Sequence, residues 1–453
     1  MSLHAWLARH AAERPDAPCL LDALEWAEFE SRVRGVAAAL QPHRGRVVAV
    51  QMPEGPELAL TLVGVLVSGA IALPLPATAT AYERERALAG LDVACLLTKV
   101  PAGPAQPLTP PQDDDVALLV ATSGSTGSPK RVALRYGGLA WNASAHADSL
   151  GLPDGVRTLV LSPLHHSFPL VGLVLSTLAR GGAAGWLEGT FAPKSWQRRC
   201  AEAAIDYVAV SPTHLRLLQA RLPAGMPLPR VLSVGAAPMT AAELQVASAW
   251  ARAGGSRLYH TYGLSEAGPR VTTLDPEGIA THPASVGRPL AGISLRVMDG
   301  DREAPANCLG EVQLKSPSVM AGYHPEPVAL SDGWLATGDL GFLDEDGYLH
   351  LRGRAKELIV SGGVNVAPRE IEEALLLERR VAEAAVVARP DPLYGEVPHA
   401  YVVLRESAAP EELLAHLAGL LSRAKLPHAI VPVAELPRTA LGKVDKQKLK
   451  EVR

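Results

Sequence analysis

The chain has 453 residues, of which 48% are hydrophobic and 20% charged, with a formal net charge of -4. This length and composition predict a folded protein of more than one domain, and the lack of a basic surplus argues against a nucleic-acid or anionic-membrane partner. The four cysteines lie far apart without paired spacing, which argues against a zinc site or a disulfide framework and suits a reducing cytoplasm.

The amino-terminal stretch "MSLHAWLARHAAERPDAP" predicts an amphipathic helix ended by prolines, without the apolar core and cleavage site of a signal peptide. Residues 58 to 73 are almost wholly apolar, but Gly64, Ser68 and Gly69 interrupt them. Pro74 ends the run before the roughly 20 residues that a bilayer requires. We interpret this stretch as a buried helix followed by a buried strand, in a protein with no membrane partner.

Short β-rich runs then alternate with helical stretches such as residues 143–150 and 241–253. The β-rich runs are "GRVVAVQM", "VACLLTK", "VALLVAT", "RTLVLSPL", "YVAVSP" and "VLSVGAA". This alternation predicts an α/β fold with a largely parallel, buried sheet and flanking helices.

After about residue 285 the pattern changes to hairpin-like strands, "ISLRVMDGD", "GEVQLKS" and "GFLDEDGYLHLRGR", which predict a β-rich subdomain. Beyond Arg354 follow a strand, a Gly-Gly turn, a helix that opens at Pro368, two further strands and a helix at 411–421. These residues predict a small α+β domain. We place the boundary near Gly353, between a large N-terminal domain, 1–352, and a small C-terminal domain, 353–453.

The loop "ATSGSTGSPKRV", residues 121–132, has the composition of an anion-binding turn. Gly124 and Gly127 allow successive N–H groups to converge on a phosphate, while Thr122, Ser123, Ser125 and Thr126 add hydroxyl donors. The spacing differs from a common P-loop, because Lys130 follows Gly127 by three residues and Pro129 favours an extended exit rather than a helix. A flexible polar turn is the alternative interpretation.

This loop and six later motifs resemble, in order, those of the adenylate-forming superfamily of acyl- and aryl-CoA ligases, peptide-synthetase adenylation domains and luciferases. The later motifs are "SPLHH" (162–166), "SVGAAPM" (233–239), "TYGLSEAG" (261–268), "SVGRPLAG" (285–292), "TGDLGFLDEDGYLHLRGRAKELIVSGG" (337–363) and "PRTALGKVDKQKLK" (437–450). The resemblance covers nearly the whole chain. It implies that a carboxylate attacks the α-phosphorus of ATP, giving an acyl-adenylate and pyrophosphate, and that coenzyme A then displaces AMP.

The resemblance also implies residue roles for ATP and Mg²⁺. The loop from Thr122 to Lys130 would hold the β- and γ-phosphates, Glu266 would bind Mg²⁺, and Ser265 would lie near the α-phosphate. Asp339 would accept hydrogen bonds from both ribose hydroxyls, with Arg354 on the ribose or phosphate side. The adenine would bind against Gly235, Ala236, Ala237, Tyr262 and Gly263. By composition alone, Glu266 is a solvated acid, Asp339 a turn residue and "GAAP" a strand end.

Lys443 in "TALGK" resembles the mobile catalytic lysine of the superfamily, although by composition alone it is a surface lysine. The hinge on which the small domain rotates aligns with Gly353, where many relatives have Asp or Lys. After that rotation the loop with Ser361, Gly362 and Gly363 would line the channel for coenzyme A. Arg131 stands where a glycine commonly follows the loop lysine, and it adds positive charge near the phosphates.

The acid pocket is the least specified part. By resemblance His166 would act at its entrance, and the run "HHSFPL" lacks the aspartate that amino-acid-activating relatives use for an ammonium group. The pocket would be lined by His166, Ser167, Phe168, Val234, Tyr259, Gly263, Leu264 and Gly268. These mostly small or apolar residues favour an aryl or short-to-medium acyl acid.

Three alternatives remain open at this point. The acyl group could pass to the phosphopantetheine arm of a carrier protein instead of coenzyme A. The chain could be a nucleotide-binding protein without catalysis, which Glu266, Asp339, Arg354 and Lys443 argue against. A phosphoryl transfer would give ADP in place of AMP.

Overall fold

The computed structural model describes residues 2–104, 106, 109–122, 130–361, 364–438 and 444–451. The chain forms two compact units, one of Met1–Ser294 and Leu314–Leu335, the other of Leu295–Gln313 and Ala336–Arg453. This division differs from the boundary expected near Gly353, because the strands after residue 294 group with the carboxy-terminal residues. The functional division into 1–352 and 353–453 therefore stays a prediction.

The strands of the first half are β1 (Pro18–Leu20), β2 (Leu24–Glu25), β3 (Val47–Val50), β4 (Ile71–Pro74), β5 (Val93–Leu97), β6 (Val116–Thr122), β7 (Lys130–Arg135), β8 (Arg157–Val160), β9 (Ala183–Trp186), β10 (Tyr207–Val210) and β11 (Val231–Val234). The later strands are β12 (Arg257–Tyr262), β13 (Thr272–Leu274), β14 (Arg288–Pro289), β15 (Ser294–Asp299), β16 (Arg302–Glu303), β17 (Gly310–Lys315), β18 (Gly322–Tyr323), β19 (Glu326–Pro327), β20 (Leu335–Leu343), β21 (Leu349–Arg354), β22 (Ile359–Ser361), β23 (Val364–Val366), β24 (Val381–Asp391), β25 (Gly395–Leu404) and β26 (Ala429–Pro432).

The α-helices are α1 (Leu3–Glu13), α2 (Trp26–Leu40), α3 (Pro56–Ser68), α4 (Ala81–Leu88), α5 (Tyr136–Ser149), α6 (Ser176–Ala179), α7 (Pro193–Glu202), α8 (Pro212–Arg221), α9 (Ala241–Ala253), α10 (Pro276–Thr281), α11 (Pro368–Leu376), α12 (Pro410–Ala418) and α13 (Lys446–Glu451). A π-helical segment, Pro169–Leu175, leads directly into α6. In the described part of the chain, no helix is long and apolar enough to cross a membrane.

The first unit contains two sheets whose central strands are parallel, as the sequence predicts. One sheet has the strand order β14-β13-β12-β11-β10-β8-β9-β1-β2, and the other β19-β18-β7-β6-β4-β3-β5. In the first sheet β10, β11 and β12 run parallel and are almost wholly buried. Ligands of such sheets bind at the carboxyl ends of the strands, which places the motifs at 235–237 and 263–268 at that edge.

The second unit contains the β-rich strands and the α+β region. One sheet has the order β16-β15-β17-β20-β21, in which β20 and β21 form the hairpin predicted around Asp346-Gly347. Another has the order β23-β22-β25-β24, with β26 parallel to β25. Helices α11 and α12 cover this sheet through buried residues that include Ile371, Leu375 and Leu413.

The apolar stretch at 58–73 forms helix α3 followed by strand β4, as predicted. Helix α3 has a glycine at position 64 because α2 packs closely against it there. A Cβ added to Gly64 would lie 2.3 Å from Val36 Cγ1. Gly69 ends the helix in a left-handed conformation, with φ of 79°, which glycine adopts without steric cost. These glycines therefore fit two buried helices together and end α3 at the start of β4.

Candidate active site

Strands β6 and β7 hold the two ends of the predicted phosphate loop. Thr122 ends β6 and pairs with Lys130, the first residue of β7. The loop residues Ser123, Gly124, Ser125, Thr126 and Gly127 lie outside the described residues, as do Gly362, Gly363 and Lys443. Their roles in phosphate binding, the coenzyme A channel and catalysis stay predictions.

The side chain of Tyr323 connects Glu266 to Lys130, the residue at the end of this loop. The sequence alone gives no sign of this role for Tyr323. The hydroxyl of Tyr323 donates a hydrogen bond to Glu266 Oε1 at 2.9 Å, and Lys130 Nζ lies 4.7 Å from the centre of the Tyr323 ring. The sheet register explains this, because Tyr323 pairs with Val132, two residues beyond Lys130 on the same face. A carboxylate and a cation thus contact the same tyrosine side chain.

A short 3₁₀ turn, Ser265–Ala267, follows β12 and carries Glu266. Its backbone is fixed by the Met320 N–H, which donates to the Glu266 carbonyl at 2.9 Å. The hydroxyls of Ser265 and Ser167 lie 2.8 Å apart. The structure therefore brings the residue predicted near the α-phosphate into contact with one predicted in the acid pocket.

Two glycines of the "TYGLSEAG" motif are required by close packing of the backbone. A Cβ at Gly263 would lie 1.8 Å from the Pro269 carbonyl oxygen. Gly268 has φ of 80°, and a Cβ there would lie 2.8 Å from Ser318 Cβ. Leu264, between them, is half-buried and extended. This packing folds the chain after β12 tightly back on itself and so fixes where Glu266 lies.

The predicted adenine wall follows β11. At Gly235 a Cβ would lie 2.6 Å from the Thr261 carbonyl oxygen, so the neighbouring strand excludes any larger side chain. Ala236 is exposed and has φ of 69°, a left-handed conformation that costs a non-glycine residue about 1–2 kcal/mol. Ala237 and Tyr262 are half-buried. A strained, small-residue turn thus lies at the carboxyl end of β11, where strain is typical of binding sites.

His166 lies in the turn after β8, next to His165. The two rings have centres 4.1 Å apart, and His165 Nδ1 lies 3.9 Å from Glu54 Oε1. Glu54 accepts its hydrogen bond in this turn from the Leu164 N–H, at 3.0 Å. This carboxylate holds the histidine turn in place. Among the described residues, no group of three or more histidine, cysteine, aspartate or glutamate side chains is placed to hold a metal ion.

Phe168, another predicted pocket residue, carries a buried cation on its ring. Arg270 Cζ lies 3.4 Å from the ring centre, and Arg270 is only 5% exposed. The ring of His146 meets Phe168 edge-on at 5.8 Å. Burial lowers the pKa of Arg270 to about 10, which still leaves it protonated at neutral pH.

A chain of neutral polar groups continues from His146. Its Nε2 lies 3.0 Å from the Tyr207 hydroxyl, which in turn lies 3.0 Å from Ser233 Oγ. Burial, and secondarily the Arg270 charge, hold the pKa of His146 well below 6.5, and burial raises the pKa of Tyr207 to about 12. At neutral pH both groups are therefore uncharged beside the guanidinium.

Two further predicted pocket residues, Val234 and Tyr259, are fully buried in the sheet. Tyr259 pairs with Ser233, so the two side chains share a face, whereas Val234 follows Ser233 and faces the other side. The register thus places Tyr259, but not Val234, on the face of the Tyr207–Ser233 pair.

Asp339 and Arg354 belong to the second unit, where they face each other across the β20–β21 hairpin. Arg354 Nε lies 2.9 Å from Asp339 Oδ1, and the Asp339 side chain is 7% exposed against 46% for Arg354. The Thr337 hydroxyl accepts a hydrogen bond from the Asp339 N–H at 3.0 Å. A buried carboxylate therefore has a cation beside it.

Gly353, the predicted hinge, lies in β21 with φ of 139°, and a Cβ there would meet nothing within 4 Å. The surroundings of Gly353 have room for a side chain, but its backbone conformation favours glycine. Ser361, at the end of β22, is buried and pairs with Val364 and Gly395. Both positions are described, and their predicted roles stay predictions.

Arg131 has a structural function that its position in the sequence does not indicate. Its guanidinium donates to the carbonyls of Ala87 at 3.1 Å and Ala89 at 2.7 Å, at the carboxyl end of α4. Cationic donors stabilise the last carbonyls of a helix. The arginine that replaces the common glycine therefore anchors α4 to β7.

The most informative residues missed by sequence reasoning are Tyr323 and Arg270. Tyr323 lies 57 residues from Glu266 in the chain, and contacts between distant segments bring the two together, among them the pairing of β18 with β7 and the bond from the Met320 N–H to the Glu266 carbonyl. Arg270 follows "SEAGP" and has no spacing that distinguishes it from a surface arginine. No sequence signal in a single chain identifies either residue.

Comparison with known proteins gives matches over both parts of the chain. The family model described as AMP-binding enzyme matches residues 7–108 and 98–324, and the model of the AMP-binding enzyme C-terminal domain matches residues 370–443. The chain is 35% identical to a sulfoacetate–CoA ligase of Cupriavidus necator, covering 99% of this chain and 97% of that protein. It is 32% identical to a feruloyl-CoA synthase of an Amycolatopsis species, covering 98% and 97%.

Solved structures agree with these matches. The o-succinylbenzoate CoA synthetase of Bacillus subtilis, in complex with the acyl-adenylate intermediate OSB-AMP, has a TM-score of 0.88 at 26% identity and covers 99% of this chain and 98% of its own. The complex of that synthetase with ATP and magnesium ion has a TM-score of 0.87 at 26% identity, with 98% and 99% covered. The predicted fold class, with a large N-terminal and a small C-terminal domain, is confirmed.

Proposed function

The chain belongs to the AMP-binding enzyme family, and we propose that it is an ATP-dependent acid–CoA ligase that works through an acyl-adenylate and releases pyrophosphate and AMP. The predicted resemblance to acid–CoA ligases of the adenylate-forming superfamily is confirmed by these matches. The observation within the molecule that supports the proposal is the contact series Lys130, Tyr323, Glu266, in which one tyrosine contacts a cation through its ring and a carboxylate through its hydroxyl.

Glu266 suits Mg²⁺ binding as the resemblance implies. Mg²⁺ is commonly held by one or two carboxylates together with substrate phosphates, and Glu266 offers one carboxylate whose Oε1 is oriented by the Tyr323 hydroxyl. The ion, when bound, would neutralise charge on the phosphate oxygens. We assign Glu266 as the magnesium ligand, Tyr323 as its positioning residue and Lys130 as a cation for the phosphates.

The first half-reaction brings two anions together, so it requires positioning and neutralisation of charge. We assign Ser265 to the α-phosphate side and Ser167 to the acid side, because their hydroxyls lie 2.8 Å apart. Asp339 would accept hydrogen bonds from the ribose hydroxyls, with Arg354 beside it. The turn at Gly235, Ala236 and Ala237 would contact the adenine together with Tyr262 and Gly263.

The second half-reaction needs a thiol at the same carbonyl carbon. In our proposal the small domain, 353–453, rotates about Gly353 after the adenylate has formed. Lys443 would stabilise the charge of the first transition state and then withdraw, and Ser361 with the following glycines would line the thiol channel. The positive φ of Gly353 and the open space at its Cα suit a position that changes its dihedral angles.

The acid is a carboxylic acid of aryl or short-to-medium acyl type. The relatives act, by their names, on acids as different as sulfoacetate and ferulate, so membership of the family does not select among them. A carrier-protein thiol in place of coenzyme A is the second candidate acceptor, although the relatives named above are CoA ligases or synthases.

The test is a panel of carboxylic acids incubated with ATP and Mg²⁺, with and without coenzyme A. We expect acid-dependent pyrophosphate release, AMP as the nucleotide product and a thioester only when coenzyme A is present. A holo-carrier protein in place of coenzyme A tests the second acceptor. ADP as the product, or ATP consumption without any acid dependence, would refute the proposed reaction.

A further inference from the structure

Arg270 carries a charge that the fold buries without a counter-ion. The residue is 5% exposed, and its Nε has no hydrogen-bond partner. Among the described residues, no carboxylate pairs with the guanidinium and no oxygen accepts a hydrogen bond from it. The residues outside the described part include no aspartate or glutamate, so they add no acidic side chain.

The groups around this guanidinium are aromatic or neutral. Phe168 presents its ring face at 3.4 Å from Arg270 Cζ, and the hydrogen-bonded series His146, Tyr207 and Ser233 is uncharged at neutral pH. A cation on an aromatic face gains attraction from the ring, but this gain is small beside the cost of burying an unpaired charge. Arginine side chains are almost never fully buried unless they are paired. An anionic group of a ligand beside this guanidinium would offset that cost.

The position of Arg270 connects it to the acid pocket. Phe168 and Ser167 are neighbours in the chain, and Ser167 contacts Ser265, which we assign to the α-phosphate side. The Arg270 backbone also packs against Gly263, where a Cβ would lie 3.0 Å from Arg270 Cα. The guanidinium therefore lies against Phe168, the chain neighbour of the serine that contacts Ser265.

We propose that Arg270 binds a second anionic group, a carboxylate or sulfonate, on a short acid substrate, and so selects dianionic acids over monoanionic ones. This inference rests on the proposed ligase function and adds the substrate class. The planar guanidinium matches both groups through paired N–H donors. The Phe168 ring holds the guanidinium in one orientation. The uncharged series His146, Tyr207 and Ser233 does not neutralise the guanidinium, so its charge can pair with an anionic group of the ligand.

The experiment compares matched acids that differ only in the second charge: sulfoacetate with methylsulfonylacetate, and succinate with its monomethyl ester. Acid-dependent pyrophosphate release gives kcat/KM for each. We expect the wild-type enzyme to prefer the dianion in at least one pair by about tenfold or more, the size of one charged hydrogen bond. In Arg270→Met that preference should fall by about 10- to 100-fold, and in Arg270→Lys by less, because lysine keeps the charge without the planar fork.

Arg257→Met is the matched control, since Arg257 also lies over a ring, that of Tyr259 at 5.2 Å, but is exposed. It should leave the preference unchanged. Equal wild-type rates for the dianion and its neutral-ended partner in both pairs would overturn the inference, and this comparison needs no variant. Equal loss for both members of a pair in Arg270→Met would also overturn it, by showing contact with the reacting carboxylate. Failure of every acid on the panel would instead refute the ligase function.

Discussion

Replacing Tyr323 with phenylalanine removes one hydroxyl from the predicted magnesium site and leaves the ring in place. The lost bond is the one donated to Glu266 Oε1 at 2.9 Å. A hydrogen bond to a charged group contributes about 1.5–3 kcal/mol, which corresponds to roughly 10- to 150-fold in an equilibrium constant. The contact between the ring and Lys130 Nζ at 4.7 Å should survive, because it depends on the aromatic face.

We therefore expect Tyr323→Phe to lower kcat/KM for MgATP by about 10- to 150-fold and to raise the Mg²⁺ concentration needed for half-maximal rate. The assay is pyrophosphate release at a fixed acid concentration across a magnesium titration, with thermal unfolding measured in parallel. Tyr82→Phe is the control, since Tyr82 is 68% exposed. A lower unfolding temperature with an unchanged magnesium titration would assign Tyr323 to the fold alone and refute the reasoning.

Three other predictions concern separate parts of the molecule. Lys443→Ala should lower the rate of adenylate formation by about 100-fold or more but spare thioester formation from a supplied acyl-adenylate. Lys448→Ala, at an exposed helix residue, should change neither rate. Equal loss of both steps in Lys443→Ala would contradict the assignment. Gly263→Ala would place a Cβ 1.8 Å from a backbone oxygen and should destabilise the fold by about 1–3 kcal/mol or more in urea, whereas Gly419→Ala, at an exposed position with an ordinary contact of 3.4 Å, should have little effect. Burial holds the folded-state pKa of His146 well below 6.5, so as the pH falls the unfolded chain binds a proton at this histidine before the folded chain does. The free energy of unfolding therefore decreases as the pH drops below about 6.5. His146→Gln should lose less unfolding free energy than the wild type between about pH 7 and pH 5, and an equal loss would contradict the assigned pKa.

The elements with strong local signals could be predicted from the sequence. Helix α9 spans the predicted residues 241–253, because Thr240 and Glu243 form a capping box at its start. Strand β6 has the predicted bounds, and α11 begins at Pro368 as expected. The helix expected at 411–421 is α12, Pro410–Ala418, whose carboxyl-end cap is Gly419, a residue type with poor helix propensity.

The parts of the candidate site that escaped prediction depend on contacts between distant residues. Strand β18 has two residues, too few for any periodic pattern, yet its pairing with β7 positions Tyr323 against both Lys130 and Glu266. Arg131 shows the same effect, because its partners are carbonyls at the end of α4 that no sequence pattern marks as unsatisfied. A motif indicates which residue types gather at a site, but tertiary pairing decides which of them touch.

The environment of Arg270 in the structure is the opposite of the one that its sequence context suggests. In the sequence, an arginine after "SEAGP" is read as a solvated cation, since exposed arginines far outnumber buried ones. In the fold it is 5% exposed, stacked on Phe168 and without an acidic partner. A buried charge lowers stability unless an opposite charge compensates it, so an anion that binds at Arg270 would offset that cost and stabilise the folded state. The free enzyme should therefore be stabilised against heat by sulfoacetate more than by methylsulfonylacetate, and Arg270→Met should abolish that difference.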